Sequence, residues 1–291
     1  MACIEKIYSV SALVGDGACN ANCDFCAGKY LRSEAKSSEE NKLYDKNLEA
    51  AIKLSARYGG WSLSLTSSGE PTCDPGALTD ALKIYNKCAQ EGAYFPNVNL
   101  FTNGILLGDE NFCDKYLDTW RKLGLNNVAV SIHEVDENKQ TQIYGIKKYP
   151  DFETIVRNVE KHGLGVRGTL LLRKGGVDNH KKYESSVTTL IDKGINNITS
   201  WPVGNPDSTR NKYTPSRLGL LGIQAWLHLN AKICHGHVWG GGVFDYHGSI
   251  LRYTNYVTKH NPKKDFVRQL VVFQDNTVAY SWIKKGALCM K

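Results

Sequence analysis

Eight residues near the start of the chain concentrate the chemistry. Cys19-Asn-Ala-Asn-Cys23-Asp-Phe-Cys26 places three thiols on one short stretch, whereas Cys3, Cys73, Cys88, Cys113, Cys234 and Cys289 are isolated in sequence. Thiolate is the preferred ligand of iron in iron–sulfur clusters, and three thiolates on one loop can take three corners of a cubane. The fourth iron then has no protein ligand and is open to a small molecule, which points to chemistry at the cluster rather than electron relay alone. The competing reading is a zinc site completed by His235 or His237. Zinc sites usually draw their cysteines in separated pairs, and this spacing is unusual for them.

These thiols need a scaffold, and the chain supplies one by alternation. β-Rich runs fall at Ile7–Val14, Trp61–Thr66, Val98–Phe101, Val128–Ile132, Val166–Leu172 and Ile195–Trp201. Between them, apolar residues recur at helical spacing, as in Leu78, Ala81, Leu82, Tyr85, Cys88, Ala89 and in Phe112, Cys113, Tyr116, Leu117, Trp120. Cys88 and Cys113 therefore read as buried helix-face residues. Six β/α units in a row predict an α/β fold, a partial (β/α)6 barrel more open than the eight-unit form. Helix-rich sequence continues over Ser216–Ala231, after which Val243–Phe244, Ile250–Tyr253, Phe266–Phe273 and Thr277–Trp282 read as short strands, with Asp275-Asn276 as a hairpin turn. Residues 1–232 are read as the barrel core and 233–291 as a small C-terminal β-rich extension that caps the substrate side.

Composition sets further bounds. The formal charge of +7 comes from basic doublets scattered along 291 residues. Such doublets suit a solvated surface; charge alone leaves a phosphate-bearing or nucleic-acid ligand open, and nothing further supports nucleic acid. No run of about 18 apolar residues exists to span a membrane, and Met1–Val14 lacks the layout of a secretion signal. A cytoplasmic protein is expected, with its thiols kept reduced.

The spacing Cys-x3-Cys-x2-Cys, with Phe25 before the last cysteine, resembles the signature of the radical S-adenosylmethionine superfamily. The resemblance spans roughly residues 5–205. It implies one [4Fe–4S] cluster on Cys19, Cys23 and Cys26, and S-adenosylmethionine chelated to the open iron. Reductive cleavage then yields a 5′-deoxyadenosyl radical that abstracts a substrate hydrogen. Ser67-Ser68-Gly69-Glu70-Pro71 is similar to the family's Gly-Gly-Glu-Pro, with Ser68 in place of the first glycine, and implies that Ser68, Gly69 and Glu70 receive the cofactor's ammonium. Thr102-Asn103-Gly104 resembles the family's Thr-Asn-Gly, and Ser131 with His133 resembles its Ser-x-Asp or Ser-x-His pattern at the ribose and methionine. Arg173 is implied as partner of the methionine carboxylate, and Val203, after the sixth strand, as backbone near the adenine. All these loops follow the C-terminal ends of consecutive strands, the end where a β/α barrel gathers its ligand-binding groups. Tyr144-Gly145-Ile146, Phe152 and Gly165-Val166-Arg167 resemble the subgroup that contains the molybdenum-cofactor cyclases and peptide-modifying members.

Past residue 205 only Cys234 and Cys289 remain, too few for a second cluster held within that segment. Cys289 is a candidate hydrogen donor or methyl carrier against an inert tail cysteine. Cys234 to Gly242, with His235, His237, the glycines 240–242 and Tyr246, is a candidate mouth-lining loop against a plain connector. The leading expectation is a radical enzyme acting on a small polar substrate, such as a nucleoside, sugar phosphate or cofactor precursor, with flavodoxin or ferredoxin as reductant. A peptide or RNA substrate is the alternative within the class, and a non-catalytic iron–sulfur or zinc protein the alternative outside it. No residue is singled out as catalytic beyond the cofactor ligands.

Overall fold

A computed structural model describes residues 6–34, 41–236, 241–254, 266–284 and 288–290. Six strands carry the alternation: β1 (Ser9–Leu13), β2 (Ser62–Thr66), β3 (Asn97–Thr102), β4 (Asn127–Ile132), β5 (Gly165–Leu172) and β6 (Asn197–Pro202). They lie side by side in chain order and all parallel. The helices α1 (Ala27–Glu34), α2 (Asn41–Arg57), α3 (Pro75–Gln90), α4 (Glu110–Lys122), α5 (Glu137–Tyr144), α6 (Phe152–Lys161), α7 (His180–Asp192) and α8 (Arg217–Asn230) complete the units. From α3 to α8 each begins at an Asp, Asn or Ser whose side chain accepts a first-turn N–H, so the loop chemistry fixes where each helix starts.

The strand faces explain the core. Outward residues such as Leu63, Leu65, Val98, Leu100, Leu170 and Ile198 are fully buried under the helices. Cys88 and Cys113 join them, as their helix positions predict. Inward residues are instead Ser62 and Ser64, Asn97 and Asn99, Arg167 and Thr169, and Thr199, all on the wall of an interior cavity. A closed eight-stranded barrel fills its interior with bulky branched side chains; this one keeps it open and polar.

The C-terminal strands continue the same sheet. β7 (Lys232–Gly236), β8 (Gly242–Tyr246) and β9 (Ser249–Tyr253) form an antiparallel set in which β9 pairs parallel to β6. At the opposite border β10 (Leu270–Val272) pairs parallel to β1, followed by β11 (Val278–Ala279) and β12 (Leu288–Met290). Eight consecutive strands are thus parallel within a 12-stranded sheet. Asn276 takes φ 69° in the turn before β11, where a hairpin turn is expected. The first predicted strand is divided at Tyr8, because Lys6–Ile7 leaves the barrel to pair with Phe266–Val267.

Candidate active site

The three cysteines follow the C-terminal end of β1, and the loop is held by backbone bonds to its neighbours. Glu70 N–H donates to Ala18 O (2.8 Å) and Asn22 N–H to Tyr144 O (2.8 Å). Two glycines allow the close approach. A Cβ at Gly28 would collide with the carbonyl of Ser68, and one at Gly69 with the carbonyls of Gly17 and Ala18. The Cys23 thiol is pushed up to about 12, first by burial and then by Cys26 and Cys19, so the three sulfurs share one electrostatic neighbourhood. Among the described residues no three Cys, His, Asp or Glu side chains converge as ligands of a single ion. Cys19, Cys23 and Cys26 come from one loop and line one cavity, an arrangement that suits a cubane in which each thiolate binds a different iron. His235 lies on the exposed strand β7, and His237 lies outside the described residues.

One cavity of about 1070 Å³ joins the loop to the strand ends; Cys19, Cys23, Cys26, Phe25, Gly69, Glu70, Thr102, Asn103, Ser131, His133 and Val203 all line it. Glu70 is buried on its wall. Its Oε1 accepts from Thr72 N–H (3.0 Å), Thr72 Oγ1 (2.7 Å) and Thr102 Oγ1 (2.7 Å), and its Oε2 from Asn103 N–H (2.6 Å). Burial drives its carboxyl upward and these bonds oppose the shift. Every one of those donors is neutral, so a cationic ligand group placed here would be the charge that favours the ionised carboxylate.

His133 is buried between Phe25 (centroids 4.9 Å) and Tyr144 (5.0 Å), and its Nδ1 has no hydrogen-bond partner in the protein. Burial first, and Arg173 second, push it down to about 3, so the ring is neutral and offers that nitrogen to a ligand. Val203, on the cavity wall, donates its N–H to Leu172 O (2.9 Å). Asn103 Nδ2 donates to Asn20 Oδ1 (2.7 Å), so this residue fastens the cysteine loop as well as facing the cavity.

Two expected ligand contacts sit differently. Arg173 is not on the cavity wall: its guanidinium stands 5.5 Å from the Phe25 centroid, over the ring face that attracts a cation. Ser68 is also off the wall, its hydroxyl donating to Gln274 Oε1 (2.8 Å), whose Nε2 in turn donates to Gly15 O. Cys73, isolated in sequence, meets the cysteine loop in space. Its thiol receives the Asn20 N–H and is pushed up by burial, then by Glu70 and Cys19. Cys289 and Tyr246 face elsewhere, Cys289 bonding Tyr280 and Tyr246 packing 5.2 Å from Trp226.

A parallel sheet with a three-thiol loop at its C-terminal end, opening on a cavity lined by a buried carboxylate, defines an enzyme of the partial-barrel type. Residues 17–209 match the family model of the Radical SAM superfamily, and the chain belongs to that family. It is 25% identical over 183 residues to a probable GTP 3′,8-cyclase of Sulfurisphaera tokodaii, covering 62% of this chain and 51% of that protein. It is 30% identical over 130 residues to one of Thermoplasma volcanium, covering 44% and 34%. The chain thus spans about half or less of the length of these relatives. Among solved structures, Streptococcus suis SuiB bound to precursor peptide SuiA aligns with TM-score 0.61 at 10% identity, over 94% of this chain and 59% of that one. Native anSMEcpe with bound AdoMet and Cp18Cys peptide aligns with TM-score 0.52 at 14% identity, over 77% and 60%. These two share the fold.

Proposed function

We propose that this enzyme holds one [4Fe–4S] cluster on Cys19, Cys23 and Cys26, binds S-adenosylmethionine beside it, and acts on a small polar substrate in the barrel lumen. When bound and reduced by a donor of flavodoxin or ferredoxin type, the pair supplies a 5′-deoxyadenosyl radical that takes a hydrogen atom from substrate. The chain's own residues bind and orient. Glu70 offers charge to the cofactor's ammonium, fixed in place by Thr72, Thr102 and Asn103. His133 presents its free Nδ1, Phe25 supplies an apolar wall, and Val203 gives backbone near the base. Ser131 and Gly69 complete the rim, while Arg173 steadies Phe25 and adds positive potential toward the carboxylate. Residues 1–232 form the catalytic core and 233–291 the added substrate-side wall, working in the cytoplasm. Of the substrate classes, the sequence relatives favour a nucleotide-like molecule, since they are named for GTP; the peptide-bound structures share only the fold.

The observation that carries this reading is the opening of the cysteine loop, Glu70 and His133 onto one cavity. Anaerobically purified protein is expected to be brown and, with dithionite and S-adenosylmethionine, to release 5′-deoxyadenosine. Cys23→Ala is expected to lose both. A colourless wild type, or undiminished cleavage by Cys23→Ala, overturns the reading.

A further inference from the structure

The lumen also carries a concentration of positive charge. Five arginines line the cavity, Arg167, Arg210, Arg217, Arg252 and Arg268, against one carboxylate, Glu70, at the cysteine end. Arg167 is the third residue of β5 and Arg252 the fourth of β9, so one comes from the barrel core and the other from the C-terminal strands. Their strands flank β6, and the register sets Thr169, Thr199 and Arg252 in one row across β5, β6 and β9. Thr169 is 2% exposed, and its Oγ1, the Thr199 Oγ1 and the Arg167 Nε are buried without a hydrogen-bond partner in the protein. Arg252 donates to the neutral Asn197 Oδ1, and Arg167 rests 5.3 Å from the Phe101 centroid. Neither forms an ion pair among the described residues.

We propose that Arg167 and Arg252, with the hydroxyls of Thr169 and Thr199, form an oxyanion subsite on the β5–β6–β9 wall of the lumen that anchors a phosphate or carboxylate group of the substrate. Two guanidiniums and two open hydroxyls match the donors an oxyanion accepts. The groups also oppose one another without a ligand. Burial first, then Arg252, push Arg167 down to about 10, and burial lowers Arg252 as well. An anion between them relieves that repulsion, which a purely structural pair would leave uncompensated. Because the cavity is continuous, a substrate held here by its charged end extends toward Glu70 and His133. This deepens the proposed function by naming the substrate class and rests on it for the reaction.

The test is calorimetric titration of the full chain, with its cluster reconstituted, using pyrophosphate in one arm and citrate in the other. Saturable binding is expected, at least about tenfold weaker in Arg167→Gln and in Arg252→Gln, and partly restored in Arg252→Lys, which keeps the charge but not the fork. Tighter pyrophosphate binding identifies a phosphorylated substrate, tighter citrate binding a carboxylated one. The anion-free melting temperature of either Gln variant is expected to be no lower than that of wild type, because a repulsion has been removed. No saturable binding in either arm, or binding unchanged by both substitutions, overturns the proposal. Iron content and 5′-deoxyadenosine release from the same preparations report the cofactor reading separately. A brown, cleaving enzyme that ignores both anions sinks only the subsite; a colourless one that binds them sinks only the cofactor assignment.

Discussion

At the scale of single residues, the site depends on groups that are small as much as on groups that react. Gly28 and Gly69 let the cysteine loop lie directly on the turn after β2, where a methyl group would strike backbone carbonyls that have no freedom to retreat. Gly28→Ala or Gly69→Ala is therefore expected to lower bound iron per chain by about tenfold or more after reconstitution, measured by iron assay and absorbance. Gly76→Ala in α3 is the control. Its Cβ would meet only Asp74 Oδ1 at 3.6 Å, an ordinary contact, and the helix should gain about 0.5–1 kcal/mol. Iron loss in all three, or in none, rejects the close-packing argument. The cysteines were legible because a ligand set on one loop is written in covalent spacing. The partners of Ser68 and Arg173 were not, since a hydroxyl's acceptor and a guanidinium's resting place depend on residues 206 and 148 positions away in sequence, Gln274 and Phe25.

At the scale of elements, the serine that departs from the family's glycine acquires a role. Ser68 joins the turn after β2 to Gln274 after β10, and Gln274 reaches back to Gly15 at the start of the cysteine loop. The same hairpin is fixed to α2 by Asn47 Nδ2 donating to Asn276 O (2.5 Å), and Lys284 pairs with Asp275. Ser68→Gly and Gln274→Ala should each cost about 1 kcal/mol, and the double variant should show coupling of similar size in denaturant unfolding. Strict additivity would show that the hairpin is held by other contacts. The helices were readable from apolar spacing, whereas their starts were fixed only once the Asp, Asn and Ser caps were seen in place. The lumen was readable as well, but only to an eye set on period two. Ser-x-Ser in β1, Ser-x-Ser-x-Thr in β2, Asn-x-Asn in β3 and Arg-x-Thr in β5 put polar side chains on one face of each strand. Strands of parallel sheets buried on both faces read as continuous apolar runs, so this alternation already marks a hollow interior. Among the elements that escaped the sequence are α1, whose side chains are mixed in character, the short α5, β7, which is exposed along its whole length and carries no burial pattern, and the final strand β12.

At the scale of the whole molecule, the described strands beyond residue 232 continue the barrel wall. β9 covers the open edge of β6, and β10 covers the open edge of β1, so one C-terminal segment borders both sides of the six-stranded core. Phe244, Leu251, Tyr253, Val271, Val272 and Phe273 are each at most 2% exposed. At roughly 1.5–3 kcal/mol per buried side chain, these six match or exceed the ~5–15 kcal/mol that holds a domain folded. A chain ended at residue 232 would lose them and expose two parallel strand edges with unpaired backbone groups, a template for association. It is expected to recover only as aggregate, or as a species without a cooperative unfolding transition, by size-exclusion chromatography and thermal melting. Ending the chain at residue 284 removes β12, which pairs only with the short β11 among the described strands, and should leave a soluble protein with a lower melting temperature. A soluble, cooperatively melting fragment 1–232 would show instead that the six-unit core closes its own edges. The arginine on β9 would then have to be explained without the wall it is built into.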